Sequence, residues 1–184
     1  IDLYPQSNIT TENFYTTNAD IQIALSGCYN SLRAPLLEEW KLTELRSDNT
    51  IMYSSASKSV PNRDLSDLDL FIPNTSHQAI YNYWIANYFN IRNLNVILNS
   101  LNVNYKPESG ALVSETTAVK ITDAEKRVAA SEAATLRAYH YFNLVRLFGG
   151  VFLVHEPADP FEATSMNRST VADIYKLIIA DLQF

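Results

Sequence analysis

The sequence predicts an all-α protein of paired helices joined by long irregular loops. Three observations carry this expectation: apolar residues recur at three-and-four spacing over several stretches, helix start and stop residues bracket those stretches, and no convincing β-sheet pattern emerges. The 184 residues are enough for one domain with a real core, and 47% of them are hydrophobic, so residues 1–184 are expected to form a single helical domain.

Residues 1–16 contain Pro5 and several Asn and Thr residues without helical periodicity, and read as an extended entry segment. Thr17 or Asn18 supplies an N-cap, with Asp20 in the first turn. Ile21, Ala24, Leu25, Cys28, Tyr29 and Leu32 then fall at helical spacing, which predicts a helix over 18–33. Pro35 closes it, because proline disfavours helix at Ala34. A short second helix is expected over 36–46, with Leu37, Trp40, Leu42 and Leu45 as its apolar set. Periodicity breaks from 47 to 74, where Ser47-Asp48-Asn49, Pro61-Asn62 and Pro73-Asn74 are turn chemistry. An unstructured loop of that length points to function.

A long third helix is expected over 75–101, burying Ile80, Trp84, Tyr88, Ile91, Leu94, Ile97, Leu98 and Leu101. Asn82, Asn87, Asn90, Asn93, Asn95 and Asn99 lie on the same helix although Asn is a mediocre helix former. Either packing overrides propensity, or some of these amides satisfy backbone groups of a neighbouring segment. Residues 102–121 read as a polar linker around Pro107 and Gly110. Thr122 and Glu125 then form a capping box for a fourth helix that runs to Phe148. Ala130, Ala134, Ala138, Phe142 and Val145 line one side of it, and Leu136, Tyr139, Leu144 and Leu147 another, so it is packed from two sides. Gly149-Gly150 ends it through a left-handed cap. Val151 to Val154 leave as a short buried extended run, and Pro157 and Pro160 hold the next turn. A last helix opens at Ser169 or Thr170, with Val171, Ile174, Tyr175, Ile178, Ile179 and Leu182 as its face. Two-sided helices in pairs suggest a tetratricopeptide-type arrangement, although a clean repeat of about 34 residues is not visible.

Composition narrows the chemistry. Charged residues make up 18%, below the roughly 25% of an average soluble protein, and Asn, Ser, Thr and Tyr take their place. Such a surface suits carbohydrate or protein contact better than phosphate contact. Lys and Arg number 14 against 20 Asp and Glu, a formal charge of −6, with no basic run. A nucleic-acid partner is therefore excluded, since nothing supplies the cations that neutralise phosphates. Cys28 is the single cysteine and reads as a small buried helix residue, with no zinc-like Cys/His spacing around it. No stretch approaches the roughly 18 apolar residues of a membrane span. Ile1 to Pro5 is not a secretory leader, which leaves two explanations, a cytoplasmic protein or a chain without its leader. The closing stretch from Ile178 to Phe184 is helical by pattern and reads as part of something longer.

The fourth helix carries a resemblance. The run from Glu132 through Arg137, Tyr141, Phe142, Arg146, Gly149 and Gly150 to Val151 is similar to the signature of the SusD/RagB family, with Phe152 where that family usually places proline. Three further stretches agree in order: Ala24 to Leu32; Trp84 with Tyr88, Ile91 and Asn95; and Arg168 to Tyr175 followed by Ile178 to Leu182. The resemblance covers nearly the whole chain. It implies a tetratricopeptide-like helical scaffold and a non-catalytic lipoprotein on the outer face of the outer membrane. It also implies capture of an oligosaccharide, or in some members a peptide, for a SusC-like TonB-dependent transporter. Membrane attachment would be through a lipidated cysteine upstream of Ile1, because Cys28 lies too deep in a helix.

Each candidate site has a plainer alternative. On the signature helix, Arg137, Tyr141 and Arg146 read as packing and ion-pair residues rather than transporter contacts. In the 47–74 loop, Asp48, Asn49, Tyr53, Asn62, Arg63 and Asp67 supply the aromatic, amide, carboxylate and guanidinium groups that a sugar site combines. In the resembling family, the segment after the stretch that is Glu44 to Asn49 here contributes to the ligand-facing surface. The alternative is a solvated loop with Asx turns. Asp64 to Asp69 lacks the glycine and terminal Glu of a calcium loop, and Leu65, Leu68 and Leu70 suggest a segment pinned to the core. His77, His140 and His155 are scattered, with no nucleophile elbow, no phosphate loop and no carboxylate pair placed across a cleft. No catalytic residue, cofactor or metal is expected. The competing function is a tetratricopeptide-type protein–protein adaptor without a small ligand.

Overall fold

The periodic stretches fold as helices. In chain order these are α1 (Asn18–Ser31), α2 (Arg33–Thr43), a 3-10 turn (Glu44–Arg46), α3 (Asn62–Asp69), α4 (Gln78–Ser100), α5 (Asp123–Phe148) and α6 (Val171–Gln183). Between α4 and α5 lie the strands β1 (Val103–Lys106) and β2 (Ala111–Ser114). The computed structural model describes residues 14–52, 62–158 and 166–184. It divides into two compact units, Tyr29–Phe89 and the combination of Ile1–Cys28 with Asn90–Phe184.

In the Tyr29–Phe89 unit, α2 begins three residues earlier than its apolar pattern predicts, and Pro35 sits inside its first turn instead of closing α1. The N–H that proline lacks is one of the donors that has no partner in any first turn, so the ring is tolerated there. Leu32, a turn residue with helical φ and ψ, separates α1 from α2. The buried stripe of α2 is Pro35, Glu38 and Leu42, continued by Leu45 of the 3-10 turn. Leu37 and Trp40, expected to be buried, are 66% and 48% exposed. The buried position that composition could not announce is Glu38, which accepts from Lys41 Nζ at 2.8 Å and from Asn82 Nδ2 at 3.3 Å.

The 47–74 segment is not loop throughout, because α3 lies inside it. With Leu68 alone fully buried among its described side chains, α3 has no apolar period to read. Leu70, expected to be pinned inward, is exposed. The helix ends in a paperclip: Phe71 N donates to Leu68 O at 3.1 Å and Ile72 N to Asp67 O at 2.9 Å. The residue at the turn of that paperclip is Phe71, at φ 59°. Glycine is the usual occupant, and a bulky L-residue there costs about 1–2 kcal/mol. The first half of α4 buries Ala79, Tyr83 and Asn87. Ile80, Trp84 and Tyr88, the positions predicted from periodicity, are only partly covered.

In the other unit, the second half of α4 buries Ile91, Leu94, Ile97 and Leu98 as its spacing predicts. The stretch read as a polar linker holds a two-stranded antiparallel hairpin, with Val103 opposite Ser114 and Lys106 opposite Ala111. Its inward residues are Val103 and Tyr105, too few to stand out as alternation. Gly110, at φ 63°, closes the turn by donating to Lys106 O at 2.8 Å. Strand-like pairing also joins Thr17 to Lys120.

Helix α5 starts and stops where the sequence places it. Thr122 N and Oγ1 both donate to the Glu125 carboxylate, at 2.9 and 2.6 Å, while Thr122 Oγ1 accepts from Glu125 N. Those bonds hold the Glu125 carboxyl below its usual range. Ala129, Ala130, Ala133 and Ala134 are fully buried, and α6 packs along α5. Phe142, expected on the buried side, is 39% exposed. The Thr170 cap of α6 is as predicted, accepting from Asp173 N. Its buried face, however, is Ile174, Leu177, Ile178, Ala180 and Asp181, while Val171, Tyr175, Ile179 and Leu182 lie on the exposed side. Pro160 and residues 1–13 lie outside the described residues.

Candidate functional site

Arg137 organises the larger unit from the middle of α5. Its Nε donates to Asp181 Oδ2 at 2.9 Å and its Nη2 to Asp181 Oδ1 at 2.7 Å, and both side chains are fully buried. Its Nη1 donates to Asn95 Oδ1 at 2.8 Å and to His155 O at 3.0 Å. Burying two charges is costly, and the two-point geometry with further hydrogen bonds is what offsets that cost. Burial pushes the Asp181 carboxyl up, while the Arg137 guanidinium pulls it back. Asn95 passes the network on, with Nδ2 donating to Val154 O at 2.9 Å and Glu156 O at 3.3 Å. This answers the question raised by the Asn-rich helix: at Asn95 the amide does satisfy the backbone of another segment.

Tyr141, one helical turn beyond Arg137, holds the same segment. Its hydroxyl accepts from Val154 N at 2.7 Å and donates to Val154 O at 2.8 Å. Three side chains thus pin the strand-like stretch after the diglycine, which reaches them through a tight exit from α5. Gly149 takes φ 68° and ψ −127°, a combination that only glycine reaches easily, though not the left-handed helical cap expected for it. A Cβ on Gly150 would meet Ser169 O at 2.7 Å. On the outer side of α5, the Arg146 guanidinium lies 4.4 Å from the Phe142 ring centroid and donates to Asn143 Oδ1 at 2.6 Å. Glu132 is half-buried on the same helix.

The second cluster lies in the Tyr29–Phe89 unit, where the chain leaves the 3-10 turn. Glu44 O accepts from Ser47 N at 3.1 Å, from Ser47 Oγ at 2.8 Å and from the Thr50 hydroxyl. The loop is folded back on the helix end, and Asp48 and Asn49 project as exposed residues. Met52 N donates to Asp69 Oδ2 at 3.1 Å, tying the loop to α3. The Arg46 guanidinium lies 5.6 Å from the Phe71 ring centroid and makes a second tie. On α3 itself, Arg63 pairs with Asp67 at 3.8 Å, and His77 Nε2 donates to Asp64 O at 2.8 Å.

Of the six residues predicted to contact ligand, Asp48 and Asn49 share one exposed turn, and Arg63 and Asp67 share one helical turn. Tyr53 lies outside the described residues. Asn62 opens α3, and its side chain also lies outside them. Arg46 and Phe71 were missed. Arg46 was read only as part of a motif, and no pattern in sequence announces a phenylalanine in a glycine conformation. Among the described residues, no group of His, Cys, Asp or Glu is clustered to hold a metal ion, and no helix is long and apolar enough to cross a membrane.

The described residues thus form a helical scaffold stapled by a buried arginine, with exposed polar groups on the turn at Asp48 and Asn49. The chain belongs to the SusD-like family described as starch-binding and associating with the outer membrane, whose match covers residues 2–184. It is 26% identical to SusD-like protein P2 of Formosa agariphila, over 98% of this chain and 33% of the relative. It is likewise 26% identical to SusD-like protein P38 of the same organism, over 100% of this chain and 32% of that protein. The chain therefore spans about a third of the length of the curated relatives it matches. Its fold also matches the crystal structure of a SusD-like protein from Bacteroides fragilis, with a TM-score of 0.73 and 19% identity, over 98% of this chain and 31% of that one.

Proposed function

We propose that this chain is part of a non-catalytic oligosaccharide-binding lipoprotein on the outer face of the outer membrane. It delivers its ligand to a SusC-like TonB-dependent transporter. The observation that carries this reading is the match of residues 2–184 to a family described as starch-binding and outer-membrane-associated. The 184 residues are read as one helical domain of a longer protein, in keeping with the length of its relatives.

Within this reading the two clusters divide the work. The Arg137 network fixes the scaffold. Asp48, Asn49, Arg63 and Asp67 offer carboxylate, amide and guanidinium groups to sugar hydroxyls, and Tyr53 and Asn62 belong to the same segment. The test uses the intact protein on an oligosaccharide array, with the bound sugar recovered and sized, and with affinity purification from its own membranes. Expected are retention of at least one oligosaccharide, its recovery uncleaved, and co-purification of a TonB-dependent transporter. Cleaved sugar would make the protein an enzyme. Retention of peptides alone, or of nothing, would end the oligosaccharide reading.

A further inference from the structure

We propose that Phe71 is the platform on which one sugar ring of the bound oligosaccharide stacks, backed by the Arg46 guanidinium. This inference rests on the oligosaccharide-binding reading and deepens it by naming the residue that takes the sugar's apolar face.

Three observations converge on Phe71. Its backbone is at φ 59°, where glycine is the natural occupant and an aromatic residue is disfavoured. The paperclip bonds from Phe71 N and Ile72 N to the end of α3 hold that backbone in place, so the ring is presented from a fixed base. The ring itself is 60% exposed, so the fold recovers little burial in return for the strain. Strain without burial is the pattern of a residue kept for contact with something outside the fold.

The surroundings fit a carbohydrate. A pyranose presents a C–H face of low polarity rimmed by hydroxyls, and an aromatic face flanked by hydrogen-bonding groups complements both. At 5.6 Å from the ring centroid, Arg46 engages the ring and still carries N–H donors for a hydroxyl. Asp48 and Asn49, two and three residues further on, are exposed on the turn that Arg46 leads into. The Met52 to Asp69 hydrogen bond fixes that turn against the last residue of α3, two positions before Phe71. Ile51 and Ile72 are exposed as well, at 84% and 62%.

The experiment compares the intact protein with Phe71→Gly and Phe71→Trp. Calorimetry against maltoheptaose, xylohexaose and laminarihexaose is run beside thermal unfolding. Phe71→Gly is expected to keep or raise the melting temperature, because the strain is relieved, while weakening oligosaccharide binding by about tenfold or more. Phe71→Trp is expected to bind within about threefold of the parent, since the stacking face is retained. Unchanged affinity in Phe71→Gly, with a parent that binds, overturns the inference and leaves the oligosaccharide reading standing. A lower melting temperature in Phe71→Gly also overturns it, because the ring would then serve the fold. A parent that binds none of the three sugars and retains no oligosaccharide on the array removes the inference together with the reading on which it rests.

Discussion

Arg137 and Asp181 stand 44 residues apart in sequence and meet in a two-point ion pair, at 2.9 and 2.7 Å, in which neither side chain touches solvent. Asn95 completes the contact from α4. Truncating one partner leaves the other charge buried alone. Arg137→Met or Asp181→Leu is expected to lower stability by about 3–5 kcal/mol, read from urea unfolding. The double variant should recover part of that loss, since an apolar pair no longer buries an unpaired charge. Additive losses would show that the two residues act independently.

The three residues of that contact come from three separate motif stretches, and this is where the sequence was most legible. Each stretch is recognisable by its resemblance to the family's motifs, and Arg137 is readable as an ion-pair residue on an apolar helix. Its partner was not readable, because pairing across 44 residues is decided by packing and leaves no local pattern. The Thr122–Glu125 capping box, the Thr170 cap and the diglycine stop are legible because their chemistry is local. Leu37, Trp40, Ile179 and Leu182 were misassigned to buried faces for the opposite reason. Two-sided helices offer several apolar stripes, and only their neighbours select one. Within the candidate site, residue types could be read from sequence, but not α3, nor the strained backbone that exposes Phe71.

Tyr141 tethers the 152–154 segment through its hydroxyl. Tyr141→Phe keeps the ring and removes the acceptor for Val154 N. A cost of about 1–3 kcal/mol is expected for the orphaned groups. Hydrogen exchange should show the Val154 amide losing protection while the amides of α5 keep theirs. Equal exchange in both proteins would mean that the hydroxyl is not what holds the segment.

The diglycine should be intolerant for two distinct reasons. Gly150→Ala drives a Cβ against the Ser169 carbonyl, and Gly149→Ala strains a positive φ in open space. Each is expected to lower stability by about 1–3 kcal/mol in thermal unfolding. A small residue added near Ser169 cannot relieve the first, because the obstacle is backbone.

Burial holds the His140 imidazole down at about 4, from an ordinary 6.5. The unfolded chain takes up a proton below pH 6.5 that the folded chain resists. Stability from this group is therefore fully present above pH 6.5 and declines as pH falls towards 4, by up to about 3 kcal/mol. His155 is shifted down by burial as well and acts in the same direction. His140→Gln is expected to flatten the decline between pH 6.5 and 4. An unchanged slope in urea unfolding across that range would contradict the assignment.

The central claim is that this chain contributes to holding an oligosaccharide through the exposed turn at Asp48 and Asn49. The most direct measurement is isothermal titration of maltoheptaose and other oligosaccharides into the intact protein and into its Asp48→Ala/Asn49→Ala variant, with folding of both verified by melting temperature. The account predicts saturable binding by the parent and affinity weaker by about tenfold or more in the variant, at an unchanged melting temperature. Equal affinity in the two proteins, or a parent that binds no oligosaccharide, would contradict it.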